Sequence, residues 1–173
     1  MKYKSLISLL LFVLLSPHAH AGEDAQRFAL GKNFAKTHQM EFAYMQFRDI
    51  VIHNVGSPFR EASLFATGEY FADISNFPEA ITIFTQFLKE YPDSKAKIFV
   101  LGYLYKIAQE TNDTEQLEKL KTDIVTLQQV SFVFRNSKDY QYRSPTHKQY
   151  RAVVRINQIT IYNGSEILAE ISY

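Results

Sequence analysis

The feature that most constrains this chain is a self-similarity at a spacing of 37 residues. Shifting the sequence by that amount sets Gly31 on Gly68, Phe34 on Phe71, Ala43 on Ala80 and Phe47 on Phe84. A further shift of 34 takes Gly68 to Gly102, Leu64 to Ile98 and Phe71 to Tyr105. In the first two units a glycine is followed three residues later by an aromatic, nine later by an alanine, and four later by another aromatic. A repeat in this size range builds a stack of supersecondary units, each too small to bury its apolar face alone.

The spacing has a steric reading. Two antiparallel helices approach closely only where a small residue on one faces a large residue on the other. Gly68 and Ala80 supply the small positions, and Phe71 and Phe84 fill the space beside them. Asp73-Ile74-Ser75-Asn76 makes the turn, and Pro78 falls in the first turn of the next helix, where its missing N–H costs little. Tyr91-Pro92-Asp93-Ser94 closes that helix, with Ser94 placed to cap the one after it. The pattern predicts six helices, at about 23–37, 40–54, 59–74, 77–91, 95–110 and 114–129.

Leu64, Gly68, Phe71, Ala80, Phe84 and Pro92 resemble the signature of the tetratricopeptide repeat (TPR). The wording Gly68-Glu69-Tyr70-Phe71 … Phe77-Pro78-Glu79-Ala80 … Tyr91-Pro92-Asp93-Ser94 is similar to repeats of bacterial envelope proteins, the BamD-type outer-membrane assembly lipoproteins and the Tol–Pal accessory proteins. The resemblance covers roughly residues 24–129. It implies about three helical hairpins wound as a right-handed α-solenoid over residues 22–129; residues 130–173 lie outside the resemblance, and their own pattern adds a small β-hairpin or β-rich segment to a mainly α fold. The chain departs from the pattern at Phe87, where an alanine is expected, and at Thr114 and Glu118, which take the alanine and aromatic places of the third unit. With no cysteine in the sequence, a lipid anchor of the BamD type is not carried over.

The resemblance also implies that the first helix of each unit lines a binding face. Counting from Asp24, Glu61 and Lys95 puts Phe28, Phe65 and Phe99 at one inward position. A second position holds Lys32, Glu69 and Tyr103, and a third holds Lys36, Asp73 and Ile107, with Lys106 alongside. An aromatic ladder with mixed charges suits a peptide with apolar anchors. It equally suits ordinary core, covered by the C-terminal segment or by a partner. The pair Glu61/Glu69 also reads as a solvated helix face, like Glu115/Glu118.

From about Val130 the helical period fades. Ser131–Phe134, Ala152–Ile156 and Ile159–Tyr162 are strand-like, whereas 136–148 reads as a polar loop around Pro145. A turn or bulge is expected at Asn157-Gln158, and Asn163-Gly164 is a type I′ hairpin signal. Along the last strand Ile167, Ala169, Ile171 and Tyr173 are expected to share one face. Such a segment must pack on the helices, on the Phe stripe or, through an open edge, on another chain.

The first residues give an address. Met1-Lys2-Tyr3-Lys4 precedes the apolar run Ser5–Leu15, and Ala19-His20-Ala21 supplies a signal-peptidase pattern, so residues 1–21 read as a secretory signal. Without Lys2 and Lys4 the 19 basic residues become 17, against 18 acidic ones. That balance argues against a nucleic-acid binder, and residues 130–173 hold the basic excess. His38, His53 and His147 carry no metal-ligand spacing, and no nucleophile elbow, phosphate loop or H-E-x-x-H occurs. No cofactor and no metal are expected. The function expected is therefore a non-catalytic adaptor or scaffold, soluble in the periplasm or peripheral to the outer membrane, that binds a protein or peptide partner. The alternatives are a subunit that pairs or self-associates through its C-terminal strands, and a glycan-binding or enzymatic envelope protein.

Overall fold

A computed structural model of the protein describes residues 18–129 and 137–173. The expected signal segment up to position 17 and the strand-like Ser131–Phe134 lie outside the described residues. Six helices follow one another: α1 His18–Lys36, α2 Met40–His53, α3 Arg60–Asp73, α4 Phe77–Glu90, α5 Lys97–Glu110 and α6 Thr114–Gln129. Each packs on its neighbours in sequence. A four-stranded antiparallel meander, in the order β1-β2-β3-β4, completes the chain. Its strands are β1 Ser137–Arg143, β2 Gln149–Arg155, β3 Gln158–Asn163 and β4 Glu166–Ser172.

The repeat is carried most regularly by the turns inside each helical pair. His38, Ser75 and Asn112 adopt left-handed φ of 60°, 56° and 56°, each 37 residues from the next. Beyond each of them, Gln39, Asn76 and Asp113 donate their N–H to the carbonyls of Phe34, Phe71 and Ala108, all at 2.9 Å. The left-handed residues themselves donate to Ala35, Ala72 and Gln109 at 3.0–3.2 Å. This is the Schellman ending, which satisfies two orphan carbonyls of the helix before it. None of the three left-handed positions is a glycine, so the motif leaves little trace in composition.

Close approach within the pairs occurs where the glycine–aromatic spacing places it. A Cβ on Gly31 would lie 2.8 Å from Phe47, and one on Gly68 would lie 2.7 Å from Phe84 Cδ1. Gly102 is different. Its missing side chain makes room for Ile161 of β3, 3.0 Å from where a Cβ would stand. Counted back from the turns, the residue equivalent to Gly68 is Tyr105, so the 34-residue shift that aligned Gly102 falls one helical turn short of the structural repeat. Ser94, expected to cap α5, lies three residues ahead of that helix; its hydroxyl accepts from Ala96 N at 3.0 Å and donates to Glu61 at 2.6 Å.

The helical pairs are cross-braced by Arg60, which is 3% exposed. Its Nε and Nη2 donate to the Glu90 carboxylate at 2.7 and 2.9 Å, and its Nη1 donates to the Val51 carbonyl. One guanidinium thus ties the start of α3 to the ends of α4 and α2, satisfying the buried Val51 carbonyl as well as its own charge.

The C-terminal region corrects three expectations. Residues 137–143, read as part of a loop, form β1, because Tyr140 and Tyr142 alternate with Asp139, Gln141 and Arg143 and give the strand one apolar and one wet face. The β3–β4 turn has positive φ at Gly164 and not at Asn163, the pattern of a II′ turn centred on Gly164-Ser165 and not of I′. A register shift beside Ile161/Tyr162 leaves both Leu168 and Ala169 buried and Ile167 half exposed, so Ile167 does not share the face of Ala169 and Ile171. The turn expected near Asn157 is present, at Ile156-Asn157.

Candidate functional site

Strand alternation sends Tyr150, Ala152 and Val154 of β2, with Ile159 and Ile161 of β3, toward the helices. They join Phe65, Phe99, Tyr103 and Ile107 in one continuous core. The sheet therefore lies on the face to which the inward positions of α3 and α5 were assigned. Phe65 meets Tyr142 and Tyr150 edge-on, with centroids 4.9 and 5.4 Å away, and Phe99 stacks on Tyr142 at 5.9 Å. Tyr103 stacks on Phe84 at 5.1 Å. In units two and three the aromatic ladder is core, covered by the chain's own C-terminal segment.

Glu69 departs furthest from its reading as a solvated helix face, since it has no exposed surface. Thr146 Oγ1 donates to one of its oxygens at 2.9 Å, and the Tyr150 hydroxyl donates to the other. Behind them Tyr103 and Tyr150 hydroxyls meet at 2.7 Å, Asn163 Nδ2 lies 3.4 Å from the Tyr103 oxygen, and Ser144 and Thr146 hydroxyls are 2.6 Å apart. Burial pushes the Glu69 carboxyl up to about 7, against the nearby Lys148 charge and the two hydrogen bonds, which pull it down. Burial likewise raises Tyr103 and Tyr150 well above the usual phenol range, with the Glu69 charge adding to it. The rim of the network is ionic. Lys148 Nζ pairs with both oxygens of Asp73 at 2.7 and 2.6 Å, and Lys106 pairs with Glu166.

The structure thus joins the assigned positions into one face, and gives most of them intramolecular partners. Phe65, Glu69, Phe99 and Tyr103 are sealed, while Asp73 and Lys106 are ion-paired to the sheet. Unit one is different. Phe28 is half-buried against Phe59 and Phe47, and Lys32 and Lys36 are exposed. Between α1 and the β1–β2 turn the sheet leaves an open cleft of about 460 Å³, lined by Phe28, Lys32, Ala62, Tyr142, Arg143, Ser144, Pro145 and His147.

The turn that forms the far wall is held in place. His147 N donates to the Ser144 carbonyl and Ser144 N to the Lys148 carbonyl, both at 3.0 Å, with Pro145 between them and His147 at φ 69°. A type I turn followed by a left-handed residue is a standard three-residue hairpin loop, usually with glycine in the last place. Here that place holds a histidine, whose Nε2–H donates to the Lys32 carbonyl of α1 at 3.1 Å. Arg143, His147, Lys148, Thr146 and Tyr150 were missed as site residues. The signal that could have found them is Pro145 flanked by alternating tyrosines, a hairpin without glycine.

Among the described residues no group of three or more His, Cys, Asp or Glu side chains is arranged to hold a metal ion, and no helix is long and apolar enough to cross a membrane. Comparison with protein-family models, with curated proteins and with solved structures finds no match.

Proposed function

We propose that this protein is an exported, non-catalytic scaffold of the tetratricopeptide type that works in a bacterial cell envelope by holding a segment of a protein partner. The observation that carries the reading is the uneven cover of the inner helical face. The sheet fills it over α3 and α5 but stops at α1, where Phe28 and Lys32 border an open cleft. A non-catalytic role is supported by Glu69: a carboxyl poised near neutrality is what acid–base chemistry requires, yet this one is sealed and used to fasten two parts of the chain. Export is supported by the pattern of residues 1–21.

Photo-crosslinking in cells tests it. A photoreactive residue at position 32 should trap a discrete envelope protein, whereas the same residue at Lys119 of α6 should not. Equal labelling at both positions, or none at 32, would count against the cleft. A second reading rests on β1, which is an end strand of the sheet. Pairing with another copy there would appear as a dimer by light scattering that a proline at Gln141 abolishes.

A further inference from the structure

We infer that the cleft between α1 and the β1–β2 turn takes an acidic, extended segment of a protein partner, with an apolar side chain seated between its carboxylates. This rests on the partner-holding reading above and adds the chemistry of the partner.

Charge is the first ground. The Lys and Arg side chains lining the cleft, Lys32 and Arg143, are both basic, and no Asp or Glu lines it. Among the described residues neither has a carboxylate partner, whereas Lys148, Lys106, Arg151 and Arg27 nearby in the fold are all paired. The carboxylates closest in sequence to the lining are committed elsewhere: Glu61 accepts from Ser94 at 2.6 Å, Asp139 pairs with Arg151 at 2.9 Å, and Asp24 accepts from Asn54 at 2.6 Å. Two exposed basic side chains line one cleft with no carboxylate among its walls, which gives it a local potential that favours an anion.

Preorganisation is the second ground. Lys32 Nζ stands over the Phe28 ring at 5.9 Å from its centroid, which restrains an otherwise flexible ammonium. Arg143 ends a strand whose following turn is locked to the Lys32 backbone by the His147 bond, so the two cations are held across the cleft by one short path. The left-handed backbone of His147 is the local cost of that lock.

The walls are the third ground. The Phe28 and Tyr142 rings, Pro145 and Ala62 line the same cleft as the two basic side chains and give it apolar wall. Such a wall offers little to a bare inorganic anion and much to a chain that alternates acid and apolar side chains. Two of the cleft's elements come from the sheet, so the site exists only when the meander is docked.

Panning a random dodecapeptide display library on the purified full chain tests the inference. The expected winners are enriched in Asp and Glu next to an aromatic or leucine. Labelled versions should lose about tenfold in affinity against Lys32→Ser/Arg143→Ser, and also when salt rises from about 50 to about 500 mM. Both positions are exposed, so the fold should survive; Lys32→Glu, with unchanged circular dichroism, is the second variant and should abolish binding. Winners that are neutral or basic, or acidic winners bound equally by the variants, overturn the inference while leaving the partner-holding reading intact. A protein that selects no peptide but binds vesicles of three parts phosphatidylcholine to one part phosphatidylglycerol overturns both.

Discussion

The hydroxyls of Tyr103 and Tyr150 stand 2.7 Å apart, and Tyr150 in turn donates to the Glu69 carboxylate. With Glu69 ionised the Tyr150 proton points to it, so Tyr103 is then the donor in the first bond. A directed chain therefore runs from Tyr103 on α5 through β2 to α3, and it crosses the boundary between helices and sheet twice.

Tyr150→Phe removes the middle of that chain. It leaves Tyr103 without its acceptor and Glu69 with one donor fewer, all in a dry site, and should cost about 1–3 kcal/mol. Tyr103→Phe loses the outer bond and the long contact from Asn163 at 3.4 Å, leaves the Tyr150–Glu69 bond in place, and should cost about 1 kcal/mol. Urea unfolding gives both numbers, and equal losses would contradict the direction assigned to the chain.

Glu69 makes stability depend on pH in an unusual sense. Its carboxyl titrates near 4.5 when unfolded and near 7 when folded, so the folded state holds the proton more tightly. The contribution is complete below about pH 4.5, fades as pH rises through 7, and changes no further above that. Glu69→Gln should match the wild type near pH 5 and exceed it at pH 8, by an amount on the order of a few kcal/mol. Thermal unfolding at the two pH values decides it. A wild type that gains on the variant with rising pH would mean that Lys148 and the hydroxyls outweigh burial.

Gly68→Ala should be the costlier of two glycine substitutions. Its new Cβ would stand 2.7 and 2.8 Å from Cδ1 and Cζ of Phe84, a ring with no exposed surface and no room to retreat. Overpacking of this kind costs about 1–3 kcal/mol. Gly102→Ala meets the end of Ile161 at 3.0 Å and should cost less. Chemical denaturation of the pair would reverse the order only if the helices part more easily than the sheet.

Ser75→Gly should stabilise the protein by about 0.5–1 kcal/mol, because Ser75 is exposed and held at φ 56°. Ser75→Val should do the opposite, since a β-branched residue resists that conformation. A shift in the thermal midpoint is the readout.

The helices were legible because their signal is redundant. Glycine–aromatic spacing, Pro78 and the polar turns all point to the same boundaries, and apart from the start of α1, which lies five residues before the expected one, the observed ends fall within about two residues of expectation. The third unit was placed one turn early because Gly102 mimics the repeat glycine while serving the sheet. β1 was hidden by its polar outer face and by a hairpin whose left-handed residue is His147 and not glycine. The inward positions were identified as a set, but what covers them could not be read from α1, α3 and α5. The residues that do so, such as Thr146 and Tyr150, lie 77 and 81 positions beyond Glu69.

Those separations set the order in which the molecule can close. Each helical pair turns back on itself within one repeat, so its contacts form early, whereas the partners of Glu69 arrive only with residues 146–150. A chain emerging N-terminus first, from a ribosome or through a translocation pore, therefore carries Phe65, Phe99 and Tyr103 uncovered until β1 and β2 appear. The meander is the clock of this fold: any delay in delivering β2 lengthens the time the aromatic face is open to chaperones, to proteases and to other unfinished copies.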